Sequence, residues 1–140
     1  MKYHFLVLLL VSSICSAEQY ICIAETSAGF NYSETSKKWE STRFNTEKKY
    51  IISESDSEYY AREVVRIGSD YPVASCVEGF NSHGYLLCSS SFHDFRFQKE
   101  NGRYLISYFG GYYNVMPSLN EITDNTSDTP FMEIGKCSPF

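Results

Sequence analysis

Phe131-Met132-Glu133-Ile134-Gly135-Lys136-Cys137 is the stretch whose reading decides the fold. It reads as a closing β-strand that carries a cysteine, and Tyr20-Ile21-Cys22-Ile23-Ala24 reads as the opening strand beside it. A Cys22–Cys137 bond would tie the two ends of the domain together and make everything between them one closed loop. Up-and-down closure of an antiparallel barrel sets the first and last strands side by side, which is the placement such a bond needs.

Working inward from these ends, Thr26-Ser27-Ala28-Gly29 breaks the opening run, and Phe30 and Tyr32 begin another. Trp39, Thr42 and Phe44 lie on the return, and Lys49 to Ser53 is a further strand closed by the polar turn Glu54–Glu58. Tyr59 to Ile67 permits a helix, since Glu58 and Arg62 are four apart. Its Tyr and Val content and the shared odd-numbered face of Tyr59, Ala61, Val65 and Ile67 favour a strand. Val73–Val77 and Tyr85–Cys88 are short strands. Phe95 and Phe97 alternate with Asp94, Arg96 and Gln98, and Tyr104, Ile106 and Tyr108 alternate again after Asn101-Gly102. Asn-Gly suits the positive φ angles of a primed two-residue turn, so this is the clearest hairpin. The expectation is all-β: a small antiparallel barrel or sandwich of about eight to nine strands, with a long connection over residues 110–130.

The first 17 residues carry a different signal. Lys2 is a small positive start, Phe5–Val11 an unbroken apolar run, and Ser16-Ala17 a small-residue exit. That is the pattern of a secretory signal, cut after Ala17, leaving one β domain over residues 18–140. The apolar run is too short to span a bilayer. Lipidation at Cys15 is disfavoured because Ile14 precedes it where a bacterial lipobox wants a small residue. Cleavage removes one of 12 basic side chains, Lys2, and none of the 17 acidic ones, taking the formal charge from −5 to −6. An acidic chain without a Lys/Arg stripe is a poor match for nucleic acid.

Cys22, Cys76, Cys88 and Cys137 remain, an even set that in an exported chain reads as two disulfides. Three pairings are possible. Cys76–Cys88 across a local hairpin with Cys22–Cys137 between the end strands is preferred. The paired C-x-x-C spacing of a zinc site is absent.

Tyr20-x-Cys22, Gly29-Phe30, Lys38-Trp39, Lys49-Tyr50, Gly84-Tyr85-Leu86-Leu87-Cys88 and Phe95-Arg96-Phe97 follow one another in an order that continues through Arg103-Tyr104, Gly111-Tyr112, Thr129-Pro130 and Glu133-Ile134-Gly135-Lys136-Cys137. Taken together these resemble a family of small exported bacterial proteins of unknown function. The resemblance covers nearly all of residues 18–140 and brings no activity and no catalytic residue with it.

Candidate chemistry is sparse. His93-Asp94 near Ser89, Ser90 and Ser91 has the residue types of a hydrolytic site, but such a site is defined by geometry and no Gly-x-Ser-x-Gly elbow supports it. His83 reads as a turn residue. Glu54–Glu58 and Asp124–Asp128 offer oxygen ligands without calcium-loop spacing. No metal, cofactor or catalytic residue is assigned. Among aromatics on alternating strand positions, which ordinarily fill a core, Trp39, Phe95, Tyr104 and Tyr108 are the candidates for a binding surface. The lipocalin-type Gly-x-Trp is missing, and Lys136, Ser138 and Pro139 spoil the lipid-facing register of an outer-membrane barrel.

The functional expectation is an exported, non-enzymatic β-protein that binds a secreted or periplasmic partner. Two narrower forms are an inhibitor of a lysozyme-type wall hydrolase, for which acidic charge is suited to a basic enzyme, and a small-ligand carrier with a cavity inside the barrel.

Overall fold

The computed structural model describes residues 18–116 and 123–140; residues 1–17, on which the expected secretory signal and Cys15 fall, lie outside them. The chain is all-β. Its strands are β1 (Tyr20–Ser33), β2 (Lys38–Phe44), β3 (Lys49–Glu54), β4 (Arg62–Arg66), β5 (Pro72–Cys76), β6 (Tyr85–Ser89), β7 (His93–Gln98), β8 (Arg103–Tyr108) and β9 (Phe131–Pro139), with one 3-10 turn at Tyr112–Asn114. Strands β1 and β3–β9 close into an eight-stranded antiparallel barrel through the β1–β9 ladder, and β2 is the ninth strand.

One strand organises the rest. β1 was expected to break at Thr26–Gly29, yet it runs unbroken for 14 residues. The interruption is a bulge: Ala24 faces Gly135 and Thr26 faces Ile134, leaving Glu25 as the extra residue. A bulge shifts side-chain parity by one. Tyr20, Cys22 and Ala24 therefore point inward before it, and Ser27 points inward after it. On its other edge β1 pairs β3 through Tyr20–Ile23 and β2 through Ser27–Ser33, so β2 extends the sheet beyond the barrel wall.

The interior is filled. Tyr50, Ile52, Val64, Leu86, Phe95, Phe97 and Ile106 are fully buried, and each such side chain contributes roughly 1.5–3 kcal/mol of burial energy. Both disulfides form as preferred, Cys22–Cys137 and Cys76–Cys88. The first joins directly paired residues on the β1–β9 ladder that closes the barrel. The second crosses the β5–β6 seam, where Ser75 and Ser89 are the one paired couple.

Two local expectations are corrected. The strand in Tyr59–Ile67 spans only Arg62–Arg66, and its buried residue is even-numbered Val64; Tyr59, Ala61 and Ile67 are exposed. Pairing with β3 decides this, because Val64 lies opposite Ile52 on the inward face. The β7–β8 hairpin has a four-residue loop, since Gln98 pairs with Arg103. Gly102 alone in that loop adopts positive φ, 67°. Asn101 instead caps the loop with its side chain, whose Oδ1 accepts from the Arg103 amide at 2.9 Å.

Candidate functional site

The sheet extension creates a wide concavity. Past the bulge, Ala28, Phe30 and Tyr32 project from the outer face of β1, and Trp39 on β2 lies directly opposite Tyr32. Trp39 meets Tyr32 edge-on at 5.8 Å and Tyr112 at 5.5 Å between ring centroids. Phe30, Trp39, Tyr108, Phe109, Tyr112, Tyr113, Phe131 and Met132 line an apolar groove of about 760 Å³. Tyr112 and Tyr113 are 64% and 62% exposed, and Phe30 and Met132 are also more than half exposed. Isolated exposed apolar residues are ordinary; a contiguous aromatic groove marks an interaction site.

The connection from β8 to β9 is held against this groove by two acids. Asp124 Oδ1 accepts a hydrogen bond from Trp39 Nε1 at 2.9 Å, and Asp128 Oδ2 accepts from the Tyr108 hydroxyl at 2.7 Å. Burial and the Asp128 bond push Tyr108 up to about 12. The chain passes close enough to require glycine at two places. A Cβ on Gly29 would lie 2.7 Å from Phe131 Cα, and one on Gly111 (φ 91°) would press onto the Asp128 carbonyl. The Phe30 amide donates to the Pro130 carbonyl at 3.0 Å, completing the seam.

The four aromatics singled out from the sequence separate into two sets. Trp39 and Tyr108 line the groove. Phe95 and Tyr104 are a correction: both belong to the barrel core, stacked on each other at 5.5 Å between ring centroids. The carrier reading asked for a cavity inside the barrel, and that space is taken up by these rings and their neighbours. Phe30, Tyr112, Tyr113 and Met132 were not singled out. Gly110-Gly111 directly before Tyr112-Tyr113 was the available signal, because glycines mark a turn and turns run over the surface.

The His93 neighbourhood does not assemble a nucleophile, base and orienting acid. Ser90 Oγ lies 3.5 Å from His93 Nδ1, while Asp94 is engaged by Arg96 at 2.8 Å. His93 packs against Tyr108 at 4.9 Å, and burial together with Lys48 and Arg66 holds its pKa below the ordinary value. His83 sits in the β5–β6 connection as expected, its amide donating to Asn81 Oδ1 at 3.0 Å.

Inside the barrel one carboxyl is out of place by ordinary rules. Glu133 is fully buried; its Oε1 accepts from the Tyr104 hydroxyl at 3.0 Å, and its Oε2 has no partner. Burial raises its pKa, opposed by the Tyr104 bond, by Lys48 and by Tyr50. The same burial, with Glu133 adjacent, raises Tyr50 and Tyr104.

Among the described residues no three His, Cys, Asp or Glu side chains gather as a metal site, and no helix is long and apolar enough to cross a membrane. Two disulfides belong to an oxidising compartment, outside the reducing cytosol. No protein-family model, curated protein or solved structure matches the chain.

Proposed function

We propose that this is an exported, non-enzymatic binding module of the periplasm or cell exterior, and that it engages a partner protein through the aromatic groove. The observation that carries the reading is the groove itself: exposed Phe30, Tyr112, Tyr113 and Met132 around Trp39, at the end of a disulfide-stapled barrel. Rigid aromatic side chains offer large contact area at low conformational cost, which is what interface anchors are made of. The secretory pattern of residues 1–17 and the ordered motifs of a small exported bacterial family support the compartment.

Inhibition of a lysozyme-type wall hydrolase is the narrower form of this reading. The acidic chain supports it, because opposite charge steers association with a basic enzyme. A lysozyme assay at low salt tests that form, and absence of inhibition at micromolar protein removes it.

Trp39 is the single tryptophan of the chain, so emission excited selectively at the indole reports on the groove without the 12 tyrosines. The test of the main reading is capture of partners from a periplasmic extract on immobilised protein, followed by titration of each purified partner against Trp39 emission. Binding should shift the emission and be lost in Tyr112→Ala and Phe30→Ser. Partners retained equally by both variants would refute the groove. Turnover of an ester, peptide or glycan, abolished by His93→Ala, would refute the non-enzymatic part.

A further inference from the structure

A second concavity, of about 260 Å³, opens at the barrel mouth and shares Tyr108 and Phe131 with the aromatic groove. Three basic side chains from separate parts of the chain converge on it: Lys48 just before β3, Arg66 at the end of β4 and His93 at the start of β7. The ladders enforce the convergence, since Arg66 lies opposite Tyr50 and His93 opposite Tyr108. Lys48 Nζ rests 3.9 Å from the centre of the Phe131 ring.

Among the described residues, no carboxylate lies within ion-pair distance of these three side chains. The ion pairs among the described residues are Lys37–Glu34, Arg96–Asp94 and Lys136–Glu25, all elsewhere. Asp128 is the acidic side chain lining the cleft, and its Oδ2 accepts from the Tyr108 hydroxyl. Like charges gathered in a partly buried place disfavour their own ionisation. The directions of the pKa shifts follow: burial lowers Lys48, with Arg66 adding and Glu133 opposing, and His93 is lowered by burial, Lys48 and Arg66. An anion from outside would relieve this arrangement.

The walls narrow the class of anion. Tyr108 and Phe131, stacked on each other at 5.8 Å between ring centroids, make one wall aromatic, and a cleft of about 260 Å³ suits a small ligand. The Asp128 carboxylate disfavours a multiply charged group such as phosphate. We propose that this cleft binds a small aromatic monocarboxylate, its carboxylate against Lys48 and Arg66 and its ring against Tyr108 and Phe131. This site goes beyond the partner-binding groove and does not depend on it.

Benzoate is the probe. It is titrated at low salt into the protein with both disulfides intact, followed by calorimetry and by the His93 ring protons, with the exposed His83 ring as internal reference. Saturable binding is expected, weakened by at least about tenfold in Lys48→Met and in Arg66→Gln, the loss of a charge-assisted bond. Arg66 is exposed on its strand, so Arg66→Gln tests the site without risking the fold. Benzyl alcohol and inorganic phosphate should bind at least about tenfold more weakly than benzoate. The proposal is overturned by absence of saturable benzoate binding, by equal binding of benzyl alcohol or phosphate, or by indifference to both substitutions. Loss with Trp39→Ala but not with Lys48→Met would move the ligand to the groove and also overturn it.

Discussion

Tyr104 donates its hydroxyl to Glu133 at 3.0 Å inside the barrel, satisfying one carboxyl oxygen and leaving the other without a partner. The folded state therefore prefers the protonated carboxyl, and its pKa is raised by burial from the ordinary 4.5. Between 4.5 and the raised value the folded chain holds this proton while the unfolded chain releases it. Stability must fall as pH climbs through that window and stay lower above it. Glu133→Gln keeps an acceptor for Tyr104 and removes the charge. Urea denaturation should show the variant level with the wild type near pH 4 and more stable by about 1–3 kcal/mol at pH 8, the cost of a buried polar group left unpaired. A difference that does not change with pH would refute the assignment.

His93 titrates in the opposite sense. Burial first, then Lys48 and Arg66, holds its pKa below 6.5, so the folded chain resists a proton that the unfolded chain accepts. This contribution is present above pH 6.5 and is lost as pH falls below it. Proton NMR should give His93 a midpoint below the ordinary histidine value, and Arg66→Gln should raise it by removing one of the two repelling charges. An unmoved midpoint would show that Arg66 does not act on the cleft.

The two disulfides should fail differently when removed. Cys22–Cys137 closes a separation of 115 residues and Cys76–Cys88 one of 12, worth roughly 5 and 3 kcal/mol by loop-closure entropy. The local consequence runs the other way. β1 and β9 are joined by a ladder of nine paired residues, whereas β5 and β6 share the single pair Ser75–Ser89. Replacing Cys76 and Cys88 with alanine should therefore accelerate amide exchange at the β5–β6 seam while leaving β1 and β9 protected. Replacing Cys22 and Cys137 should lower global stability with protection falling everywhere together.

What the sequence disclosed follows from which interactions are local. The alternation of Phe95 and Phe97 and of Tyr104 and Ile106 marked β7 and β8 as strands, but period two does not say which face is dry, so Phe95 and Tyr104 read as surface candidates and lie in the core. The cysteine pairing was legible because strand order in a closed barrel brings the ends together. The bulge at Glu25 was not. Nothing in Thr26–Gly29 separates a break from a parity shift, and the shift is dictated by register against Gly135 and Ile134, over a hundred residues away. The groove depends on that shift, since it turns Phe30 outward, and so it stayed hidden with it. Val64 was likewise decided by Ile52 across a ladder, not by its own neighbours.

Gly135 makes the closing strand compatible with that bulge. It lies between Ala24 on β1 and Tyr104 on β8, and a Cβ there would press onto the Ile23 carbonyl and sit 2.6 Å from Tyr104 Cε1. Neither neighbour is free to retreat, because the carbonyl is backbone and Tyr104 is fixed by its bond to Glu133. Gly135→Ala should cost about 3 kcal/mol, the upper end of core overpacking. Gly68 supplies the comparison. It has φ 89° but open space around its Cβ position, so Gly68→Ala should cost only the backbone strain, about 1 kcal/mol. Urea denaturation of both variants separates crowding from conformation, and equal losses would mean that the β1–β9 seam yields where this packing says it cannot.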